Sequence, residues 1–575
     1  MTSLSPLKKH RFAVLAAPSL KVVECVCELI VPFLVKTIID EGLSEDGSRY
    51  GDVGYIVSIA LIVLALSVLG FLATMVTQYV ASRVSTDYGY ELRREVYRQF
   101  GSLSSSQIND YGRSKALNLL SSDSFSLQNG VFMFMRLLVR APFLTIGSIV
   151  MSFVLNVYAG IAVLSALLLC ALTVAIVMAK TPKGYVAVQS GLDELTSLGE
   201  DGVMGARVIR TFNLQEKSKA EFAAKSEEYK RRSDSLSLVN AIVNPLTFGL
   251  VNLAIVAVFY LGSYQFSFSG LSSGSIVAIV SLLTQALTAL IQFSRLVTSL
   301  SKAFASKRRL DGFLALENCL KDGERDLPEV QQGETLIEAK GVSLSYGGES
   351  NAVDRVDFLL RKGERIGILG GTGSGKSSLL SLLLRFNDPS EGELCFGGIP
   401  YAELNSDDIR AQIAIVFQKP QIFEGTVYSN VALSDPEMGE ERVNWALEQA
   451  LCTEFASSYE DGMSHHIEEG GSNLSGGQRQ RILIARALAS RRSILILDDS
   501  TSALDYKSDL LIRQNIAAIK GISTIIVSQR ATSIKDCDRI YVFDKGAIVG
   551  VGTNEELLES CPIYRETLQA QVDQR

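Results

Sequence analysis

The chain has 575 residues, eight cysteines and a formal net charge of −7. That length is too great for a single domain, and the negative charge excludes the electrostatic footprint of a nucleic-acid partner. The mean hydropathy is positive. Long apolar runs fill the first half, and the second half has the mixed pattern of a soluble α/β domain. The cysteines are scattered and lack metal-ligand spacing; Cys25 and Cys27 fall inside an apolar run and read as buried thiols.

Lys8, Lys9, His10 and Arg11 precede the first apolar run in the manner of a signal peptide. The run is long and has no small-residue cleavage site, so it reads as a membrane span that stays. About 20 apolar residues cross a bilayer, and six stretches qualify: 12–36, 55–80, 131–155, 157–179, 237–262 and 275–298. The connection around Asp40–Asp46 is acidic, whereas the long connections 81–130 and 180–236 are rich in Lys and Arg. The positive-inside bias therefore places the N-terminus, both long connections and the second half in the cytoplasm. Asp46 and Gly270 are expected outside, Lys217 and Lys376 inside. The long connections are amphipathic, as in Tyr90–Phe100, and read as helices continuing below the bilayer. Lys21, Glu24 and Glu28 share one face of the first span. Two readings stay open: a cation-attracting patch in a transport cavity, or a structural network in which Lys21 neutralises Glu24. Arg136 and Arg140 read as interfacial.

The expected domains are a transmembrane domain over 1–318, a polar linker over 319–334 and a nucleotide-binding domain over 335–575. Tyr346 ends a strand-like run, where a ring could stack on a base. Arg365–Leu369 reads as a buried strand and Ser378–Leu384 as a helix. Between them Gly370, Gly371, Thr372, Gly373, Ser374, Gly375, Lys376 and Ser377 fit the phosphate-binding loop, with Ser378 following. Its glycines let successive N–H groups turn inward, and the helix start adds positive dipole. Lys376 would reach the outer phosphates of ATP, and Ser377 would ligate Mg²⁺. Gln418, at the end of an apolar strand, offers an amide to that Mg²⁺. Leu474, Ser475, Gly476, Gly477 and Gln478 form a small-residue turn opening a helix, another anion-binding geometry. Ile494–Asp498 is a buried strand ending in the carboxylates Asp498 and Asp499, with Asp498 placed to hold the magnesium shell.

Tyr346, the Gly370–Ser377 loop, Gln418, Leu474–Gln478, Asp498 and the Ser502-Ala-Leu-Asp505 turn occur in the order of an ATP-binding-cassette (ABC) nucleotide domain. With six spans ahead of it, the chain resembles an ABC half-transporter of the exporter type, and the resemblance covers nearly its whole length. It implies two cassettes sandwiching two ATP molecules, each site built from one chain's phosphate loop and the other chain's Leu474–Gln478 equivalent. It also implies short loop helices near Ser121–Ser126 and Glu200–Ala206 that press on the cassettes. The fold class implied is a membrane α-helical domain fused to an α/β phosphate-loop domain in a bacterial cytoplasmic membrane.

The sequence departs from the family pattern twice. Asp499 stands where the family usually has the Glu that orients the attacking water, and Gln529 stands where it usually has His. The resemblance then implies the degenerate-site subunit of a heterodimeric, multidrug-type exporter. Its own site holds ATP and Mg²⁺, and its intact signature serves a second, different half-transporter. Its partners would also include the bilayer and a hydrophobic or amphipathic small-molecule substrate. A homodimeric exporter of lipids, peptides or drugs, or a non-transporting ATP sensor, are the alternatives.

Overall fold

In a computed structural model the chain is described over residues 3–45, 47–264, 272–347, 350–419, 421–456, 459–501 and 503–573. Asp46, Gly270 and Ser502 lie outside these residues. Packing divides the chain into two units, Met1–Gly101 with Gly112–Leu316, and Ser102–Tyr111 with Glu317–Arg575.

The first unit is helical. Its long helices are α1 (Arg11–Thr37), α2 (Val53–Ser102), α3 (Ser124–Leu137), α4 (Arg140–Leu155), α5 (Val157–Met204), α6 (Gln215–Tyr264) and α7 (Ser273–Leu314). Helices α2, α5 and α6 run far past the apolar stretches, as the amphipathic connections lead one to expect. Asn156 separates α4 from α5 in extended conformation and caps α5, its Oδ1 accepting from Tyr158 N at 2.9 Å and Ala159 N at 3.2 Å. By length and composition, three helical stretches among the described residues can cross a membrane: Val53–Ser102, Ser114–Leu155 and Ser273–Leu314. Val157–Thr173 and Pro245–Tyr260 are shorter apolar helices.

Within the stretch expected as one span over 131–155, the regular helix lapses into a turn at Leu138 and Val139, between α3 and α4, while both residues keep helical φ/ψ. Pro142 follows, and it has no N–H to offer the carbonyl of Leu138. Arg140 sits at this turn, and its position there corrects the interfacial reading. Its Nη1 donates to Glu24 Oε1 at 2.9 Å and its Nη2 to Glu28 Oε1 at 2.9 Å. Lys21 pairs with the other oxygen of Glu24, and both residues are 1% exposed. Two cations and two carboxylates thus balance. The structure supports the network reading of this patch over the cation-attracting one.

The second unit carries two main sheets. Strands β1 (Thr335–Leu344), β2 (Val353–Arg361), β4 (Glu391–Phe396) and the short β5 (Ile399–Pro400) form an antiparallel sheet in the order β2-β1-β4-β5. The larger sheet adds β3 (Arg365–Gly370), β6 (Ile413–Val416), β7 (Ile494–Asp498), β8 (Ser523–Ser528), β9 (Arg539–Asp544) and β10 (Ala547–Gly552), in the order β10-β9-β3-β8-β7-β6. All its neighbours are parallel except β9 and β10. The central strands are buried on both faces, which is why they read as unbroken apolar runs. Helix α8 (Lys376–Leu383) packs Leu379, Leu380, Leu382 and Leu383 into the core between the sheets.

The polar stretch expected as a linker is docked along this unit. Arg385, with no exposed surface, donates to Lys321 O at 2.7 Å and Leu404 O at 2.6 Å. Gly323 N donates to Leu404 O at 3.0 Å and Arg325 N to Glu403 O at 3.1 Å.

Candidate nucleotide site

Strand β3 delivers the chain into the Gly370–Gly375 turn at the carboxyl end of the parallel sheet, where open α/β sheets bind ligands. Gly373 and Gly375 have φ of +77° and +104°, which a side chain would strain. A Cβ at Gly375 would also stand 2.6 Å from the Ala352 carbonyl. Gly375 opens α8, so the first turn's N–H groups face the loop's hollow. Lys376 is folded onto its own loop, donating to Gly370 O at 2.7 Å, Gly371 O at 2.6 Å and Ser374 Oγ at 3.3 Å. Burial lowers its pKa, with Asp499 and Asp498 opposing. An incoming phosphate would replace these three contacts with charge-assisted ones. Thr372 and Ser377 are exposed, and Ser378 is half-buried.

Asp498 ends β7 and is 7% exposed. Burial, then the neighbouring Asp499, push its carboxyl up to about 6, with Lys376 opposing. A divalent cation is the group that would reverse that cost, so the donor set fits Mg²⁺. Asp499 follows in the left-handed conformation, φ +49°. Its Oδ2 lies 3.5 Å from Gln418 Nε2 and 3.4 Å from Gln529 Nε2. Gln418, beyond β6, and Gln529, after β8, therefore converge on one carboxylate oxygen, at distances that make both hydrogen bonds weak. The sequence singles out each of the three residues but carries no sign that they meet. Their separations of 81 and 30 residues leave no local signal.

Tyr346 follows β1 with its ring 58% exposed. Leu474–Gln478 opens α9 (Gly476–Ala489), where Ser475 and Gln478 form a capping box. Ser475 is exposed, and the neighbours of Gly476 and Gly477 are Ala503 and Leu504. The signature thus borders the 503–505 turn of its own chain. Gln480, which sequence reasoning missed, fastens the two: its Oε1 accepts from Ala503 N at 2.9 Å. A Gln facing the core two residues past the signature was the available sign. Asp505 caps the next helix through Ser508 N at 2.9 Å.

Two family models match in succession, the ABC transporter transmembrane region over residues 14–290 and the ABC transporter model over 353–502. This chain is an ABC half-transporter of the exporter type. An uncharacterized ABC transporter ATP-binding protein of Bacillus subtilis is 29% identical to it, over 99% of this chain and 98% of that protein. An ATP-dependent lipid A-core flippase of Haemophilus ducreyi is 26% identical, over 99% of this chain and 97% of its own length. A solved structure of a bacterial Atm1-family ABC exporter with ATP bound shares the fold of the half-transporter. Its TM-score is 0.81 at 21% identity, covering 98% of both chains. The half-transporter is thus an integral membrane chain whose ABC domain binds ATP and couples its hydrolysis to transport.

Proposed function

We propose that this half-transporter exports an amphipathic cargo as one half of a heterodimer, with its own ATP site binding nucleotide but hydrolysing it slowly. The observation that carries the reading is Asp499, whose single oxygen is shared by the amides of Gln418 and Gln529. Asp is one methylene shorter than Glu, which withdraws the carboxylate by roughly 1.5 Å, and misplacement of about 1 Å can cost around 10²-fold in rate. Gln529 can donate a hydrogen bond but cannot become cationic opposite a terminal phosphate.

In this reading Tyr346 stacks on the adenine, Gly370–Gly375 with Lys376 and Ser378 cradle the phosphates, and Ser377, Gln418 and Asp498 surround Mg²⁺. Leu474–Gln478, with Ser502 and Asp505, closes on the partner's ATP. Residues 1–318 form the transmembrane domain with six spans, 319–334 join it to the cassette at 335–575, and both ends lie in the cytoplasm of a bacterial cell.

Steady-state ATPase of the co-expressed pair tests the division of labour. Asp499→Ala should lower turnover only modestly. Gly477→Asp should lower it about 10²–10³-fold, the usual cost of losing one well-placed transition-state contact. Equal damage from the two substitutions would make this chain's own site catalytic and favour a homodimer.

A further inference from the structure

Gln529 is engaged from two sides. Its side-chain Nε2 lies 3.4 Å from Asp499 Oδ2 in the nucleotide site. Its backbone carbonyl accepts from Gln571 Nε2 at 3.0 Å, across 42 residues of chain. Gln571 belongs to α11 (Pro562–Asp573), and the short α10 (Ala531–Ile534) begins just after Gln529. The two helices are packed together. Tyr564 of α11 has no exposed surface and shares an apolar cluster with Ala531, Ile534, Ile540 and Leu557. Its Oη donates to Asn554 Oδ1 at 2.7 Å.

The contact with Gln529 is the one hydrogen bond that the Gln571 amide makes among the described residues. Its Oε1 is buried there with no partner. A buried unpaired oxygen costs stability and calls for an explanation. An apolar side chain would fill the same place without that cost. What the amide adds is a donor aimed at the Gln529 carbonyl. The bond holds the planar peptide unit that follows Gln529, and with it the aim of the Gln529 side chain. The far end of α10 is held separately. Arg513, its side chain 10% exposed, donates from Nη1 to Ser533 O at 3.0 Å and pairs through Nη2 with Asp509 at 3.0 Å. Packing and Arg513 keep the segment folded, which leaves to Gln571 the orientation of one residue.

Aiming matters more for Gln than for a cation at this position. A neutral amide donates over a short range and weakens steeply with distance and angle. The attraction of a cation falls off slowly. We propose that Gln571 is a positioning residue for Gln529, through which α11 sets how well this chain's own site distinguishes ATP from ADP. The proposal rests on the reading that Gln529 faces the terminal phosphate. It does not rest on slow hydrolysis or on a heterodimer.

The test is equilibrium binding to the full chain in nanodiscs, comparing adenylyl-imidodiphosphate with ADP, each with Mg²⁺. Gln571→Met keeps the side chain's length and removes the donor. It should weaken the triphosphate analogue about fivefold, the usual worth of one neutral hydrogen bond, and leave ADP affinity unchanged. Gln571→Lys, which keeps a donor, should restore the wild-type ratio. In a Gln529→Ala background Gln571→Met should change nothing further, because the group it aims is gone. Gln571→Ala repeats the measurement should the Met variant not fold. An unchanged ratio without the donor overturns the proposal. So does equal weakening of both nucleotides, the mark of a purely structural role, or an effect that persists undiminished in the Gln529→Ala background. If Gln529→Ala alone keeps the wild-type ratio, the switch assignment of the proposed function falls and this proposal with it. A loss in Gln529→Ala with none in Gln571→Met overturns this proposal alone.

Discussion

At the scale of single residues, the cost built into Asp498 has a definite sign. Its carboxyl ionises at 3.8 in the ordinary state and near 6 in the folded chain, because it is buried and has Asp499 beside it. The folded chain holds the proton more tightly, so this group's destabilising contribution is absent below about pH 4 and fully present above about pH 6. The two-unit shift bounds it at about 3 kcal/mol. Asp498→Asn should therefore raise the thermal midpoint of the nucleotide-free protein at pH 7.5 and leave it unchanged near pH 4. It should also abolish the further rise that Mg²⁺ with ATP gives the wild type. A variant melting like wild type at both pH values would show that the folded site does not desolvate the carboxyl. Arg140 poses the opposite case. Arg140→Gln strips Glu24 and Glu28 of their shared cation; Arg140 and Glu28 are partly exposed and Glu24 keeps Lys21, so the cost falls below the about 3–5 kcal/mol of a fully buried pair. A lower midpoint in detergent is expected, with partial recovery in the Arg140→Gln, Glu28→Gln double variant. An unchanged midpoint in the single variant would remove the structural role. Sequence reasoning found Lys21 with Glu24 because they are three apart on one helix. It missed Arg140, which reaches them from 116 residues away.

Elements were legible where their signals were local. Strand β3, the glycine turn and α8 fall within a residue or two of expectation, because apolar runs and glycine positions fix them. The strap at 319–334 was not. Its polar composition reads as linker, but its order comes from backbone hydrogen bonds to the Glu403–Leu404 corner and from Arg385, which no composition reveals. Asp322 belongs to the same anchor. Burial alone would raise its pKa, but the Ser406 hydrogen bonds and Arg385 outweigh burial and hold it below the usual carboxylate range. Arg385→Met removes the guanidinium, which leaves Lys321 O without this donor and Leu404 O with Gly323 N alone, at roughly 1.5–3 kcal/mol for each charged hydrogen bond lost. The strap should then loosen, and limited trypsin digestion should cut after Lys321 and Arg325 several-fold faster than in wild type. An unaltered cleavage rate would mean that Gly323 and Arg325 hold the strap by themselves.

For the whole molecule, the order of membrane and nucleotide domains could be read directly, since each motif carries its own context. Orientation rests on a weaker, summed signal, the excess of Lys and Arg in the connections 81–130 and 180–236. The structure supplies the means to test it. Asp52 precedes α2 and is exposed, Lys217 is exposed at the start of α6, and Cys319 is an exposed native thiol. If the loops with excess positive charge face the cytoplasm, a membrane-impermeant maleimide should leave the wild-type chain unlabelled on intact cells and label it after lysis. In a Cys319→Ser background, a cysteine at Asp52 should label from outside, and one at Lys217 only after lysis. Cys25, Cys27 and Cys170 are buried in the membrane unit and should contribute no background in either condition. Labelling at Lys217 on intact cells would invert the topology. It would place the ATP-binding domain on the side of the membrane that lacks ATP and overturn the export reading as a whole.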